Sequence, residues 1–156
     1  MVGSRALIHA ILAGGLIGGA LDIAYAILAN LSRAAPGRVL QSVAAGLLGK
    51  SAFQGGAPTA ALGLLLHFAI ATVMAAAFVL AATRITELVR RPWLWGPLYG
   101  IGLYLVMNFI VRPLSANPPK GPPPITLTSF GDVLSHMFFV GLVIALFARR
   151  ALAPPP

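Results

Sequence analysis

Four long apolar stretches, each closed by basic or helix-breaking residues, organise the chain. The first runs from about Ala6 to Leu31, after Arg5 and before Ser32 and Arg33. The second runs from about Thr59 to Ala82 and ends at Thr83-Arg84. The third runs from about Trp93 to Val111, between Arg90-Arg91-Pro92 and Arg112-Pro113. The fourth runs from about Thr128 to Ala148 and stops at Arg149-Arg150. As a helix rising about 1.5 Å per residue, each would cross roughly 30 Å of hydrocarbon. Helix is the expected conformation, because a lone strand would leave its backbone unpaired in lipid. The pattern predicts an all-α membrane protein, an antiparallel four-transmembrane-helix bundle forming a single transmembrane domain over residues 1–156.

The connections differ from one another. After Pro36-Gly37 a fifth helical pattern covers about residues 37–50. It places Leu40, Val43, Ala44 and Leu47 on one face and Arg38, Gln41, Ser42, Ala45 and Gly49 on the other. It is too short to span and reads as an interfacial helix in the first outer loop, lying in the outer interface or folded over the bundle. Gly55-Gly56-Ala57-Pro58 then breaks it before the second span. The connection over residues 113–124, with Asn117-Pro118-Pro119-Lys120-Gly121-Pro122-Pro123-Pro124, reads as a stiff polyproline segment.

Composition sharpens this picture. Hydrophobic residues make up 58% of the chain and charged residues 9%, with a mean hydropathy of +0.90. A soluble domain carries about 25% charged residues to cover its surface. The formal charge of +8 does not imply nucleic acid, since the basic residues sit as singles and pairs at segment ends. They fit the positive-inside rule instead. Arg5, Arg84, Arg90, Arg91, Arg149 and Arg150 crowd one side in short segments, whereas Arg33, Arg38, Lys50, Arg112 and Lys120 are spread over longer loops. Both termini are therefore expected on the cytoplasmic side of a bacterial inner membrane, with Trp93, Trp95 and Tyr99 in an aromatic belt nearby. Arg84, Arg90, Arg91, Arg149 and Arg150 would form a basic rim able to attract anionic lipid. Ala24-Tyr25-Ala26 imitates a signal-peptidase site, but Asp22 interrupts the approach and the apolar run continues past it, so the first span reads as uncleaved. The chain has no cysteine, which excludes disulfides, thiolate metal sites, iron–sulfur clusters and covalent c-type haem.

Against this background the intramembrane polar residues are conspicuous. Of three acidic residues, Asp22 and Asp132 lie inside predicted spans, as do His67 and His136 of three histidines. An acid at the centre of a span costs about 3 kcal/mol on insertion scales. Asp22, His67, Tyr104, Asn108, Asp132 and His136 fall mostly between about 5 and 13 Å below the outer helix ends. Asp22 shares a stripe with Gly15, Gly18, Gly19 and Tyr25; Pro97, Gly100, Tyr104 and Asn108 share another; Ser129, Asp132 and His136 share a third; Gly63 lies four before His67. Small residues beside polar ones mark the interior of a membrane bundle. The cluster admits a hydrogen-bond network that fixes helix register, a divalent-metal site on Asp22, His67, Asp132 and His136, a b-type haem between His67 and His136, or part of a proton or ion path. Only His9 would continue such a path on the cytoplasmic side. Met74, Met107 and Met137 read as gap fillers, with copper ligation as the alternative. The pairs Gly14/Gly18, Gly15/Gly19 and Gly96/Gly100 have GxxxG spacing, for packing inside the bundle or for a homo-oligomer or larger complex.

Four stretches carry a resemblance: SVAAGLLGKSAFQGG, LGLLLHF, GPLYGIGLYLVMNFIVRPLSA and HMFFVGLVIALFARR. Together they resemble a group of small, uncharacterised four-span inner-membrane proteins of proteobacteria. The resemblance implies a location and a fold, and brings no activity or cofactor. The sequence has no nucleophile beside a base and no phosphate-binding loop. The functional expectation is thus an accessory or interaction subunit rather than an enzyme, with a metal- or haem-binding protein and a small proton- or ion-coupled transporter as alternatives.

Overall fold

The computed structural model describes residues 3–152, and the described chain is helical throughout its regular structure. Helix α1 spans Ser4–Asn30, α2 spans Pro36–Leu48, α3 spans Gly56–Ala82 and α4 spans Glu87–Arg90. Helix α5 spans Pro92–Val111, its last turn, Met107–Val111, being π-helical. Helix α6 spans Leu127–Leu152 and contains a π-helical segment, His136–Leu142. Helices α1, α3, α5 and α6 are each long and apolar enough to cross a membrane, with lengths of 27, 27, 20 and 26 residues.

Local sequence sets the ends. Pro36 opens α2 and Pro92 opens α5 at positions where the missing N–H is no loss. At the start of α6, Thr126 and Ser129 form a capping box: Thr126 Oγ1 accepts from the Ser129 amide at 3.1 Å, and Ser129 Oγ accepts from the Thr126 amide at 2.7 Å. Between α2 and α3 the backbone turns through a short 3₁₀ segment, Gly49–Gln54, bracketed by Gly49 at φ 65° and Gly56 at φ 60°. Both angles lie in the region that glycine tolerates without a Cβ penalty.

Small residues set the helix contacts. Gly14 and Gly18 pack on Ile144, Phe147 and Val140 of α6, while Gly15 and Gly19 pack on Thr72, Ala71 and Phe68 of α3. The two glycine pairs thus serve two neighbours from two faces of α1. Gly96 and Gly100 meet Leu142, Ala145, Met137 and the backbone of His136 in α6. These stripes are consumed inside the chain, and an oligomer would have to use another surface.

A tight apolar core fills the end of the molecule nearest α4. Ala75, Phe78, Val79, Ile144, Ala145 and Ala148 are buried there, and Val89 of α4 closes it. Tyr99 packs against this core. Its hydroxyl donates to the Met74 carbonyl at 2.8 Å and its ring packs 5.0 Å from Phe78. Trp93, by contrast, is exposed. Leu28, Leu65, Val73 and Phe109 also point outward, and under a third of each apolar window is buried. Apolar surface on this scale is not tolerated in water and fits a multi-pass membrane protein.

Helix α2 docks on α3 through small and polar side chains. Gln41, Ala44 and Ala45 are buried, whereas Leu47 is 61% exposed. The Leu40 carbonyl comes so close over Gly63 of α3 that a Cβ there would collide with it. Small side chains permit this approach, and Leu47 and Leu48 are turned outward.

Candidate functional site

The π-helical segments and the glycine contacts bring three of the intramembrane ionisable residues to one place. Asp22 of α1, His67 of α3 and His136 of α6 line a common cavity of about 100 Å³, together with Gly19, Ile70, Met74, Met107 and Val140. Helix α2 contributes Val43 to the same wall. A space of this size has room for a few ordered waters and is below the roughly 300–1,000 Å³ of a small-molecule site.

Asp22 Oδ1, the Ser135 hydroxyl and one ring nitrogen of each histidine have specific partners. Ser135 Oγ donates to Asp22 Oδ1 at 2.7 Å, tying α6 to α1. His136 Nδ1 lies 3.7 Å from the same oxygen, an ion pair whenever the ring is protonated. His136 Nδ1 also donates to the Asp132 carbonyl at 2.9 Å. A carbonyl only accepts, so Nδ1 carries the proton and Nε2 is the basic nitrogen. By the same reasoning His67 Nε2 is protonated, since it donates to the Gly19 carbonyl at 2.8 Å and ties α3 to α1. Tyr104 stands edge-on to the His136 ring with centroids 5.7 Å apart. Among the described residues no buried side-chain nitrogen or oxygen lacks a hydrogen-bond partner.

The remaining candidates take other places. Asp132 is absent from the cavity wall. It contributes its backbone carbonyl to His136, and its carboxylate forms no ion pair within 4.0 Å. The spacing of Asp132 and His136 puts them on one face, but in a helix that spacing also lets the histidine ring bond back to the carbonyl four residues earlier, and this contact prevails. Asn108 is turned toward the end of α5: its Nδ2 donates to the Tyr104 carbonyl at 2.9 Å and its Oδ1 accepts from Arg112 at 2.7 Å.

Two polar residues absent from the expected cluster prove central. Ser135 is 3% exposed and Gln41 6% exposed. Gln41 Nε2 donates to the Gly56 carbonyl at 3.0 Å and to Thr59 Oγ1 at 3.2 Å, pinning α2 to the start of α3. Uncharged polar residues carry a weak signal in an apolar stretch. For Ser135 the available hint was its place next to His136, and for Gln41 its place among small residues.

A metal or haem reading does not fit this geometry. Among the described residues no group of three His, Asp or Glu side chains could hold a metal ion. The chamber, at about 100 Å³, is too small for a porphyrin.

At the α4 end the expected basic rim contains its own acid. Glu87 lies 3.3 Å from Arg90 and 3.6 Å from Arg91, both pairs well exposed. Arg150 stacks over Phe147 at 5.6 Å, and Arg84 and Arg149 are exposed. No family model matches the chain, and no curated protein or solved structure matches it.

Proposed function

We propose that the protein is a non-catalytic, accessory or interaction component of a bacterial inner membrane, related to the small four-span proteins it resembles. In this reading Asp22, His67, Ser135 and His136 lock α1, α3 and α6 in register. The observation that carries it is the cross-linking of the helices: the Ser135 hydroxyl of α6 donates to Asp22 of α1, and the His67 ring of α3 donates to the Gly19 carbonyl of α1, while His136 Nδ1 donates within its own helix. A site built for turnover would present such atoms to a substrate.

The same reading makes the chain an antiparallel bundle with both termini cytoplasmic. Rising numbers in α1 meet falling numbers in α6, from Gly14 at Ile144 to Gly18 at Val140, which supports opposite directions. Helix α2, joined to α3 through Gln41 and Gly63, would lie over the outer end. Arg84, Arg90, Arg91, Arg149 and Arg150 would then face the cytoplasmic lipid surface, where each basic residue contributes about 1 kcal/mol of attraction to anionic headgroups.

A transport reading is less well supported. Beneath the chamber the core of Phe78, Val79, Ile144 and Ala148 is apolar, and His9 lies with Phe147 and Arg150 in a separate cavity. Purification of the full chain from its membrane in mild detergent tests the proposal. A reproducible, stoichiometric membrane partner is expected. A metal- or haem-loaded monomer, or proton-coupled flux in vesicles, would overturn it.

A further inference from the structure

A larger cavity adjoins the chamber. It measures about 420 Å³, within the range of about 300–1,000 Å³ typical of small-molecule sites. Its apolar walls come from Leu47 of α2, Leu66 and Ile70 of α3 and Val111 of α5. Arg112, Ser115 and Asn117 supply polar groups where the chain leaves α5. Val43, Ile70 and Met107 line both this cavity and the chamber holding Asp22, His67 and His136, so the two spaces share a wall.

The π turn of α5 builds the polar end. The Arg112 amide donates to the Met107 carbonyl, five residues back, at 2.9 Å. A turn of this width brings residue i+5 back over residue i. In a continuous α-helix Arg112 would lie about 140° around the axis from Met107. The wider turn puts Met107, Val111 and Arg112 on one wall. Arg112 Nη1 donates to Asn108 Oδ1 at 2.7 Å, which fixes the guanidinium. No carboxylate among the described residues lies within 4.0 Å of it. A guanidinium has five N–H donors in a fork that matches carboxylate or phosphate oxygens, so most of its donor capacity is uncommitted.

We propose that this cavity binds an amphiphile with an oxyanion head, carboxylate or phosphate, held by Arg112, and a single apolar chain lying along Leu47, Leu66 and Ile70. A neutral ligand would leave the free guanidinium donors unused, and a small polar anion would leave the apolar walls unanswered. This site is independent of the accessory role assigned above.

The full chain in phosphatidylcholine nanodiscs, which carry no net-charged lipid, provides the test. Palmitate, hexadecyl phosphate and methyl palmitate are the probes, and bound probe per chain is measured by mass spectrometry. One equivalent of an anionic probe is expected, with methyl palmitate at least about tenfold weaker, the effect of one charge-assisted hydrogen bond. Preference for palmitate identifies the head as a carboxylate, and preference for hexadecyl phosphate identifies it as a phosphate. Arg112→Gln should weaken the anionic probes by about the same factor. Gly46→Leu provides a second variant. A Cβ at Gly46 meets only Ser115 Cβ at 3.9 Å, an ordinary contact, and the longer side chain enters the cavity. It should block all three probes while the thermal midpoint is retained. Equal binding of palmitate and its methyl ester, or anionic binding unaffected by both variants, would overturn the proposal.

Discussion

Ser135 and Asp22 are 113 residues apart in the chain, and the Ser135 hydroxyl donates to Asp22 Oδ1 at 2.7 Å. The serine is buried and the carboxylate nearly so. This bond is the shortest polar link between α1 and α6. Ser135→Ala should lower stability by about 0.6–1.7 kcal/mol, the range measured for interhelical bonds in membranes. Asp22→Ala should cost about 1–3 kcal/mol, because the serine is left buried and unpaired. A double-mutant cycle in detergent unfolding should give a positive coupling energy. Additive single effects would show that the two side chains act independently.

Gly63 determines whether α2 stays seated. The Leu40 carbonyl occupies the space that a Cβ on Gly63 would need. Gly63→Leu should cost about 1–3 kcal/mol as overpacking and lift α2 from α3. In that background a cysteine at Ala45, fully buried in the parent chain, should react with a water-soluble maleimide. An unreactive Ala45→Cys in the Gly63→Leu protein would mean that α2 is held elsewhere.

The contrast between α2 and the long helices shows which features the sequence made legible. Long apolar runs locate α1, α3, α5 and α6 to within a few residues, because length against bilayer thickness is a one-dimensional constraint. The docking face of α2 is not constrained in this way. The two faces of the helix can be read from the sequence, but not which of them meets α3; in a membrane large apolar residues face lipid and small ones face helices. Asp22, His67 and His136 could be placed together from their depths and small neighbours. The loss of Asp132 from the group depends on a ring-to-carbonyl bond within one helix turn, a choice between two acceptors that spacing leaves open. The π turns have no marker residue in the sequence, yet they position Met107, Arg112 and His136.

Topology has a direct test. Single cysteines at Ser4, Ser42 and Lys120, all exposed, should divide into two classes in intact cells. Ser42→Cys and Lys120→Cys should label from the periplasm, and Ser4→Cys only after the inner membrane is opened. Labelling of Ser4→Cys in intact cells would invert the proposed orientation. Ala45 is unsuitable for this purpose because it is buried against α3.

Glu87 tempers the basic rim. It pairs with Arg90 and Arg91 at exposed positions, where ion pairs contribute little to stability. Glu87→Gln should therefore leave the unfolding midpoint almost unchanged. It should raise the retention of phosphatidylglycerol over phosphatidylcholine, with the increase erased by salt as the Debye length shrinks. Unchanged lipid retention would reduce the rim to a determinant of orientation.

The two chamber histidines should respond differently to truncation, and the difference tests the structural reading of the cluster. His67 reaches across to the Gly19 carbonyl on another helix. The hydrogen bond of His136 stays within its own helix, and its link to α1 is the longer 3.7 Å approach to Asp22. If these residues serve to hold helices together, His67→Ala should lose about 0.6–1.7 kcal/mol of stability. His136→Ala should lose less, because Ser135 continues to satisfy Asp22. Metal content measured on parent and variants in parallel should show no histidine-dependent metal. A variant that keeps full stability but loses a stoichiometric bound ion would reverse the assignment and make the chamber a ligand site.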